Sequence, residues 1–161
     1  MTMPDIRFLF DYTKWANELV FDCVADLTPE QTFRPVGGSF PCIRDTWGHL
    51  AAADWVWLSR WTGESPRAWP RWAHGSVDEI REEWRRIHSQ RDEFLDGLGD
   101  EDLEREVVFT RITGDVDQAR LGFLLQHVIN HATYHRGQLA SQIRLVGGTP
   151  PATDLLRYRP T

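Results

Sequence analysis

The chain has 161 residues, of which 41% are hydrophobic and 26% charged, and this composition is typical of a single globular domain, expected over residues 1–161. A net charge of −6 argues against a broad nucleic-acid-binding surface, and two cysteines cannot build a disulfide framework or a multi-thiolate zinc site. Because no apolar run reaches about 18 residues and the first residues do not follow the signal-peptide pattern, we expect a cytoplasmic protein without a membrane span.

The first half of the chain predicts two long helices. Apolar residues recur at helical spacing over residues 5–26, and "TPEQ" at 28–31 predicts a short helical turn capped by Thr28, with Gln31 as its return partner. The Gly- and Pro-rich stretch "RPVGGSFP" is typical of a loop. A second long helix is predicted over residues 41–61, and a connecting loop rich in Trp and Pro over residues 63–75.

The second half predicts two more helices with a different segment between them. The capping box of Ser76 and Glu79 begins a helix that ends near Gly97 or Gly99. The segment 105–118 contains "VVF" and "TGD", which favour strand and turn. The last helix is expected over residues 120–146, ended by "GGTPP". The sequence therefore predicts an all-α fold, a four-helix bundle with a short strand-prone excursion before the last helix.

Half of the six histidines lie four residues apart in "HVINHATYHRGQL", at His127, His131 and His135. His131 and His135 replace aliphatic residues in the core-facing stripe of the last helix, which comprises Leu121, Leu124, Val128, His131, His135, Leu139, Ile143 and Val146. An unpartnered buried imidazole costs about 1–3 kcal/mol. Because residues at i and i+4 can turn onto one ion, a divalent metal would compensate this cost; hydrogen bonds to other buried polar groups are the alternative.

His49 is the best candidate for a third ligand. It lies on the second long helix in a stripe with Thr46 and Ala53, and the small residues beside it leave room for an imidazole. His127 lies beside the stripe, so we interpret it as lining a pocket or supporting the ligands. His74 falls in a loop and His88 among charged residues, and both are expected to be solvated.

Two segments, "WGHLAAADWVW" and "HVINHATYHRGQL", resemble the DinB/YfiT superfamily of metal-binding four-helix bundles, and the resemblance covers nearly the whole chain. It implies His49, His131 and His135 as the metal ligands. It also implies a homodimer, and related families include thiol-dependent S-transferases and a maleylpyruvate isomerase.

Three imidazoles leave a coordination position open, as in catalytic sites, and they favour zinc or nickel over magnesium or calcium. Two functions follow from this site. One is a metal-dependent transferase or hydrolase that joins a low-molecular-weight thiol to a small electrophile or cleaves such a substrate. The other is a non-catalytic stress-response module that binds a metal or a small hydrophobic ligand in a Trp-rich cleft.

Several neighbouring residues are given supporting roles. Asp45 or Asp54 is a candidate to accept the spare N–H of a ligating histidine. Arg136 is expected in an exposed salt bridge, with contact to an anionic substrate as the alternative. Gly137 indicates a close helix crossing, and Tyr134 is either a proton donor or an interface aromatic. Six of the eight tryptophans fall between Trp47 and Trp72, and they are expected to pack in the core and in interfaces, with the lining of a ligand pocket as the alternative.

Overall fold

The computed structural model describes residues 1–160. The helices are α1 (Met3–Ala25), the short α2 (Pro29–Phe33), α3 (Ile43–Trp61), α4 (Val77–Asp96) and α5 (Leu121–Leu145), and three short 3-10 segments cover Arg71–His74, Asp100–Glu104 and Leu155–Arg157. Strands β1 (Glu106–Thr110) and β2 (Val116–Arg120) form one antiparallel hairpin. The helical prediction and the position of the hairpin are confirmed, although β2 runs two residues beyond the expected limit.

Capping residues set the helix starts. Thr28 accepts a hydrogen bond from the backbone of Gln31, and the Gln31 side chain accepts one from Thr28, as the sequence predicts. Ser76 accepts one from the backbone of Glu79 and begins α4. Thr2 makes the same kind of reciprocal pair with Asp5, so α1 begins two residues earlier than predicted.

The four long helices form a closed ring of contacts. α1 packs on α4 and α5, and α3 packs on the same two helices. α1 and α3 therefore lie diagonally opposite, and so do α4 and α5, which requires the long connections after α1 and α4 that the sequence provides. The hairpin packs on α3 and α5.

Two apolar clusters fill the interior, and the histidines of α5 fall between them. α5 contributes Val128 and Ile129 to the first cluster and Leu139 and Ile143 to the second. His131 and His135 occupy the positions between these pairs. The second cluster also includes Ala132, between the two histidines, and His135 is itself buried.

A close backbone approach lies next to His49. A Cβ atom on Gly48 would stand 1.9 Å from the carbonyl oxygen of Ala73, so only glycine lets the 3-10 segment Arg71–His74 reach α3 there. Gly137, where a close crossing was expected, has open space around it, and that prediction is wrong. The close backbone contact is made by Gly48 of α3 instead. Within residues 1–160, no helix combines the length and the apolar character needed to cross a bilayer.

Candidate metal centre

Three imidazoles from two helices meet at one point. His49 lies on α3, and His131 and His135 lie one turn apart on α5. The Nε2 atom of His131 is 3.3 Å from that of His49 and 3.0 Å from that of His135. The ligand atoms of the three all lie within 4.8 Å of one another, and in the described part of the chain no other set of three His, Cys, Asp or Glu side chains is so grouped.

Hydrogen bonding alone does not satisfy this arrangement. A neutral imidazole nitrogen carries either one hydrogen or one lone pair. Because Nε2 of His131 faces two other Nε2 atoms, it can form only one good hydrogen bond with them. The remaining contact is left without a well-directed hydrogen bond. A cation that accepts all three lone pairs removes this conflict.

Burial keeps these rings uncharged. The pKa of His49 falls to about 4 because burial disfavours the imidazolium, and the nearby charge of His135 adds to the shift. The pKa of His131 also falls to about 4 through burial and through the charges of His135 and His49. Burial lowers the pKa of His135 as well. At neutral pH the imidazoles are therefore neutral, which is the form that binds metals.

Gln138 fixes the orientation of His135. Nδ1 of His135 is 2.8 Å from Oε1 of Gln138, and the amide nitrogen of Gln138 donates to the hydroxyl of Ser39 at 3.1 Å. Because the amide oxygen only accepts, Nδ1 carries the hydrogen and Nε2 keeps its lone pair. Gln138 was not predicted to have a role, although its position three residues after His135 places both on one helical face.

Phe40 supports His49 from the loop before α3. Its ring stacks on the imidazole with centroids 4.5 Å apart and an interplanar angle of 30°. The centroid of the Trp69 ring lies 5.3 Å from that of the same imidazole, and the two ring planes are inclined by 59°. The sequence identified this loop only as a connection, because nothing in its Gly and Pro content indicates which helix it folds against.

The carboxylates that flank His49 do not support it, and that prediction is wrong. Asp45 accepts the thiol hydrogen of Cys42 at 3.3 Å and pairs with Arg44 at 2.9 Å. Asp54 lies 2.8 Å from Nε2 of His88. Each carboxylate is therefore engaged by a partner other than the three imidazoles.

His88 is buried, whereas the sequence analysis expected it to be solvated. Only 1% of it is exposed, because it lies on the inner face of α4 and donates Nε2–H to Asp54 across the helix interface. Burial and the charge of Arg91 lower the pKa of His88 to about 4. Burial opposes ionisation of Asp54, yet the His88 hydrogen bond and the Arg91 charge hold its pKa below the ordinary value. A neutral imidazole thus donates to a buried carboxylate and lies beside the buried guanidinium of Arg91, 3.2 Å from its nearest nitrogen.

Arg136 is also buried, and the expected exposed salt bridge does not form. Its guanidinium donates to Asn17 at 3.1 Å, to the Tyr12 hydroxyl at 3.1 Å and to Thr133 at 3.0 Å. The Tyr12 hydroxyl in turn donates to the Thr153 carbonyl at 2.7 Å. Arg136 therefore joins α5 to α1 from the inside of the bundle.

A cavity of about 520 Å³ borders the histidines on the hairpin side. Its wall includes His49, Ala53, Val56, Trp57, Arg60, Trp69, Phe109, Phe123, Leu124, His127 and His131. His127 lines it, as predicted; its ring centroid lies 6.0 Å from that of His131 and 5.1 Å from that of Trp57. Both interpretations of the tryptophans apply to part of the set, because Trp47 and Trp61 lie in the core while Trp57 and Trp69 line the cavity.

The fold and the site together define a helical-bundle protein with three converging imidazoles beside a cavity. The sequence model of the DinB family matches residues 3–161, and the chain belongs to that family. It is 26% identical over 168 residues to Protein DinB of Bacillus subtilis (strain 168), an alignment that covers 97% of this chain and 95% of that protein. The crystal structure of a DinB-like protein from Bacillus cereus ATCC 10987 superposes with a TM-score of 0.70 at 22% identity, covering 94% of this chain and 97% of that one, and shows the same fold.

Proposed function

We propose that His49, His131 and His135 hold a divalent metal ion, zinc or nickel, and that the protein is a metal-dependent enzyme acting on a small electrophile. Transfer of a low-molecular-weight thiol is the favoured reaction, and hydrolysis is the other. The observation that carries the proposal is the convergence of three neutral ring nitrogens at the wall of a cavity.

The donor set fits such an ion. Ligands about 2.0–2.1 Å from a tetrahedral zinc lie about 3.3 Å from one another. The two close nitrogen separations, 3.3 Å and 3.0 Å, are near this value. Imidazole suits zinc and nickel, whereas magnesium and calcium prefer oxygen ligands. Structural zinc sites usually have four protein ligands, so three imidazoles favour a site with room for a substrate.

When bound, the ion would supply the Lewis acidity that activates a thiol or a water molecule. The chain's own residues do the rest. Gln138 holds the tautomer of His135, and Phe40 limits rotation of the His49 ring. Trp57 and Trp69 give the cavity an apolar wall that excludes water from part of the site.

Two cavities meet at His49, which supports a reaction with two substrates. The second has a volume of about 320 Å³ and is bordered by Phe40, Pro41, Asp45, His49, Ala52, Trp69, Ala73 and His74. His49 and Trp69 belong to both walls. A thiol and an electrophile could therefore approach the three imidazoles from different sides, whereas hydrolysis requires only one organic substrate.

The second candidate is a binding module without catalysis. The apolar residues of the larger cavity, among them Trp57, Phe109 and Phe123, favour it because they would hold a small hydrophobic ligand without any chemistry. A conjugation assay separates the two. Protein purified without a histidine tag is loaded with zinc or nickel, and its rate with 1-chloro-2,4-dinitrobenzene is measured against a panel of small thiols.

The enzyme proposal expects a rate that depends on the metal and disappears with a chelator. The His131→Ala variant should show the chelated rate even when metal is supplied, because His131 contacts both other ligand nitrogens. Equal rates with and without metal for every thiol, and for a generic ester, would leave the binding module. The homodimer implied by the resemblance stays a prediction, which sedimentation at micromolar concentration tests.

A further inference from the structure

Arg60 is a buried arginine in the wall of the larger cavity. It lies near the end of α3, and only 7% of it is exposed. Its guanidinium carbon stands 4.6 Å from the ring centroid of Trp57 and 4.8 Å from that of Phe109. Both rings line the same cavity. Nothing in the sequence distinguishes Arg60 from other arginines, because its place in the wall depends on how the hairpin folds back over α3.

The charge of Arg60 has no anionic partner in residues 1–160. Its Nε is buried without a hydrogen-bond partner, and no carboxylate lies within ion-pair distance of its guanidinium. Burial lowers its pKa, and the charge of Arg111 lowers it further, while no acidic group acts in the other direction. The cavity therefore has an uncompensated positive charge in its wall.

The two aromatic rings do not provide hydrogen-bond acceptors for the Arg60 guanidinium. Cation–π contacts engage the face of a guanidinium, whereas its five N–H donors lie in its plane. A buried charge whose donors lack acceptors is costly. The rings thus hold the guanidinium in place and leave its edge as the part that can bind an anion.

The other arginine of the cavity is already paired. Arg111 forms an ion pair with Asp117 across the hairpin, and the two side chains are 59% and 38% exposed. The unpaired charge in the wall is therefore that of Arg60 alone. A single planar fork matches one carboxylate in bidentate geometry.

The position of Arg60 links it to the three imidazoles. Arg60 and His127 both pack against Trp57 in the same cavity wall, with the guanidinium carbon 4.6 Å and the imidazole centroid 5.1 Å from a Trp57 ring centroid. His127 in turn packs beside His131. We propose that Arg60 binds the carboxylate of the substrate, so that the site acts on small carboxylate-bearing molecules. This inference rests on the proposed function for the reaction, although the anion site itself does not require the metal.

Binding of three matched probes tests it. Isothermal titration compares phenylacetate, the neutral phenylacetamide and phenyl phosphate, with metal-loaded and with chelator-treated protein. We expect phenylacetate to bind at least about tenfold more tightly than phenylacetamide in both preparations. A preference present only in the metal-loaded protein would assign the carboxylate to the metal and overturn the proposal, as would tighter binding of phenyl phosphate than of phenylacetate.

Substitutions at Arg60 test whether this residue causes the preference for phenylacetate over phenylacetamide. Arg60→Gln should bind the acid and the amide equally, and Arg60→Lys should keep a reduced preference because it retains charge without the fork. Arg86→Gln removes the same charge from an exposed site on α4, where Arg86 pairs with Glu83, and should bind as the wild type does. A preference that survives intact in Arg60→Gln overturns the proposal. If Arg60→Gln does not fold, the acid–amide comparison in the wild type and the Lys variant decide.

Metal content measured on the same samples separates the two proposals. Protein that binds no metal but keeps an Arg60-dependent preference for the acid contradicts the metal-dependent function and supports the anion site. Protein that binds metal but does not distinguish acid from amide overturns the anion site alone.

Discussion

Two polar clusters lie five residues apart on α3, and they differ in every property that bears on function. The cluster at His49 contains three imidazoles and no carboxylate, borders two cavities and is partly accessible. The cluster at Asp54 contains a carboxylate, an imidazole and a guanidinium, from Asp54, His88 and Arg91, and all three side chains are buried. Charge complementarity inside a closed interface indicates a structural role. Unmatched donor atoms at a cavity indicate a site for a ligand.

The same contrast distinguishes two buried arginines. Arg136 donates to three oxygen atoms that the fold provides, so its hydrogen bonds are complete without a ligand. Arg60 has aromatic rings beside it and no acceptor. Burial alone therefore does not separate structural from functional arginines in this bundle; the acceptors around the guanidinium do.

The largest expected effect concerns the structural cluster. Asp54→Ala removes the carboxylate that accepts the Nε2–H of buried His88 and leaves that donor without an acceptor, while Arg91 keeps its ion pair with Asp92. We expect a loss of about 1–3 kcal/mol in the free energy of unfolding, measured by urea denaturation of chelator-treated protein. Glu93→Ala, at an exposed position of α4, should change it by less than about 0.5 kcal/mol. Similar stabilities for the two variants would contradict a structural role for the cluster at Asp54.

Acidification should destabilise the protein through both clusters. The pKa values of His49, His131 and His88 are about 4 in the folded protein, against 6.5 ordinarily. Between about pH 6.5 and 4 the unfolded chain therefore binds more protons, and stability falls as the pH falls. Urea denaturation of metal-free protein across this range measures the slope.

Two variants show how much each cluster contributes to this dependence of stability on pH. His88→Gln should remove the contribution of the cluster at Asp54, and His49→Ala should remove part of the contribution of the three imidazoles. A metal-free wild type whose stability is constant from pH 7 to 4.5 would contradict the neutral, buried state of these imidazoles.

A smaller effect is expected from Gln138. Gln138→Ala removes the acceptor that holds the His135 tautomer, and supporting hydrogen bonds of this kind change metal affinity by about 10–100-fold. Competition with a calibrated chelator measures the change. Ser141→Ala, one turn further along α5 and bonded only to the Gly137 carbonyl, serves as the control. An unchanged affinity in Gln138→Ala would show that packing, not this hydrogen bond, orients the ring.

The sequence predicts those parts of the fold and site that depend on local periodicity. The stripe of α5 identifies His131 and His135, and the capping residues Thr28 and Ser76 identify where α2 and α4 begin. His49 follows from the stripe of α3 together with the family resemblance. Each of these signals lies within one helix.

Features that depend on contacts between different helices, strands and loops could not be predicted from the sequence. His88 and Arg136 are surrounded by charged or polar neighbours in the chain, so the chain does not show that they face inward. Arg60 lines a cavity only because Phe109 of the hairpin folds against it. Gly48 is required by a backbone contact with Ala73, which is 25 residues away in the chain.

Metal content in four histidine variants tests the central claim most directly. His49→Ala, His131→Ala, His135→Ala and His127→Ala are purified without a tag, equilibrated with zinc and one competing chelator, and assayed for metal per chain by mass spectrometry. We predict that the first three lose most of their metal, because each leaves two ligands, and that His127→Ala retains it. Loss of metal in His127→Ala with retention in His135→Ala would contradict the account, because the ligand set would then lie one helical turn earlier on α5.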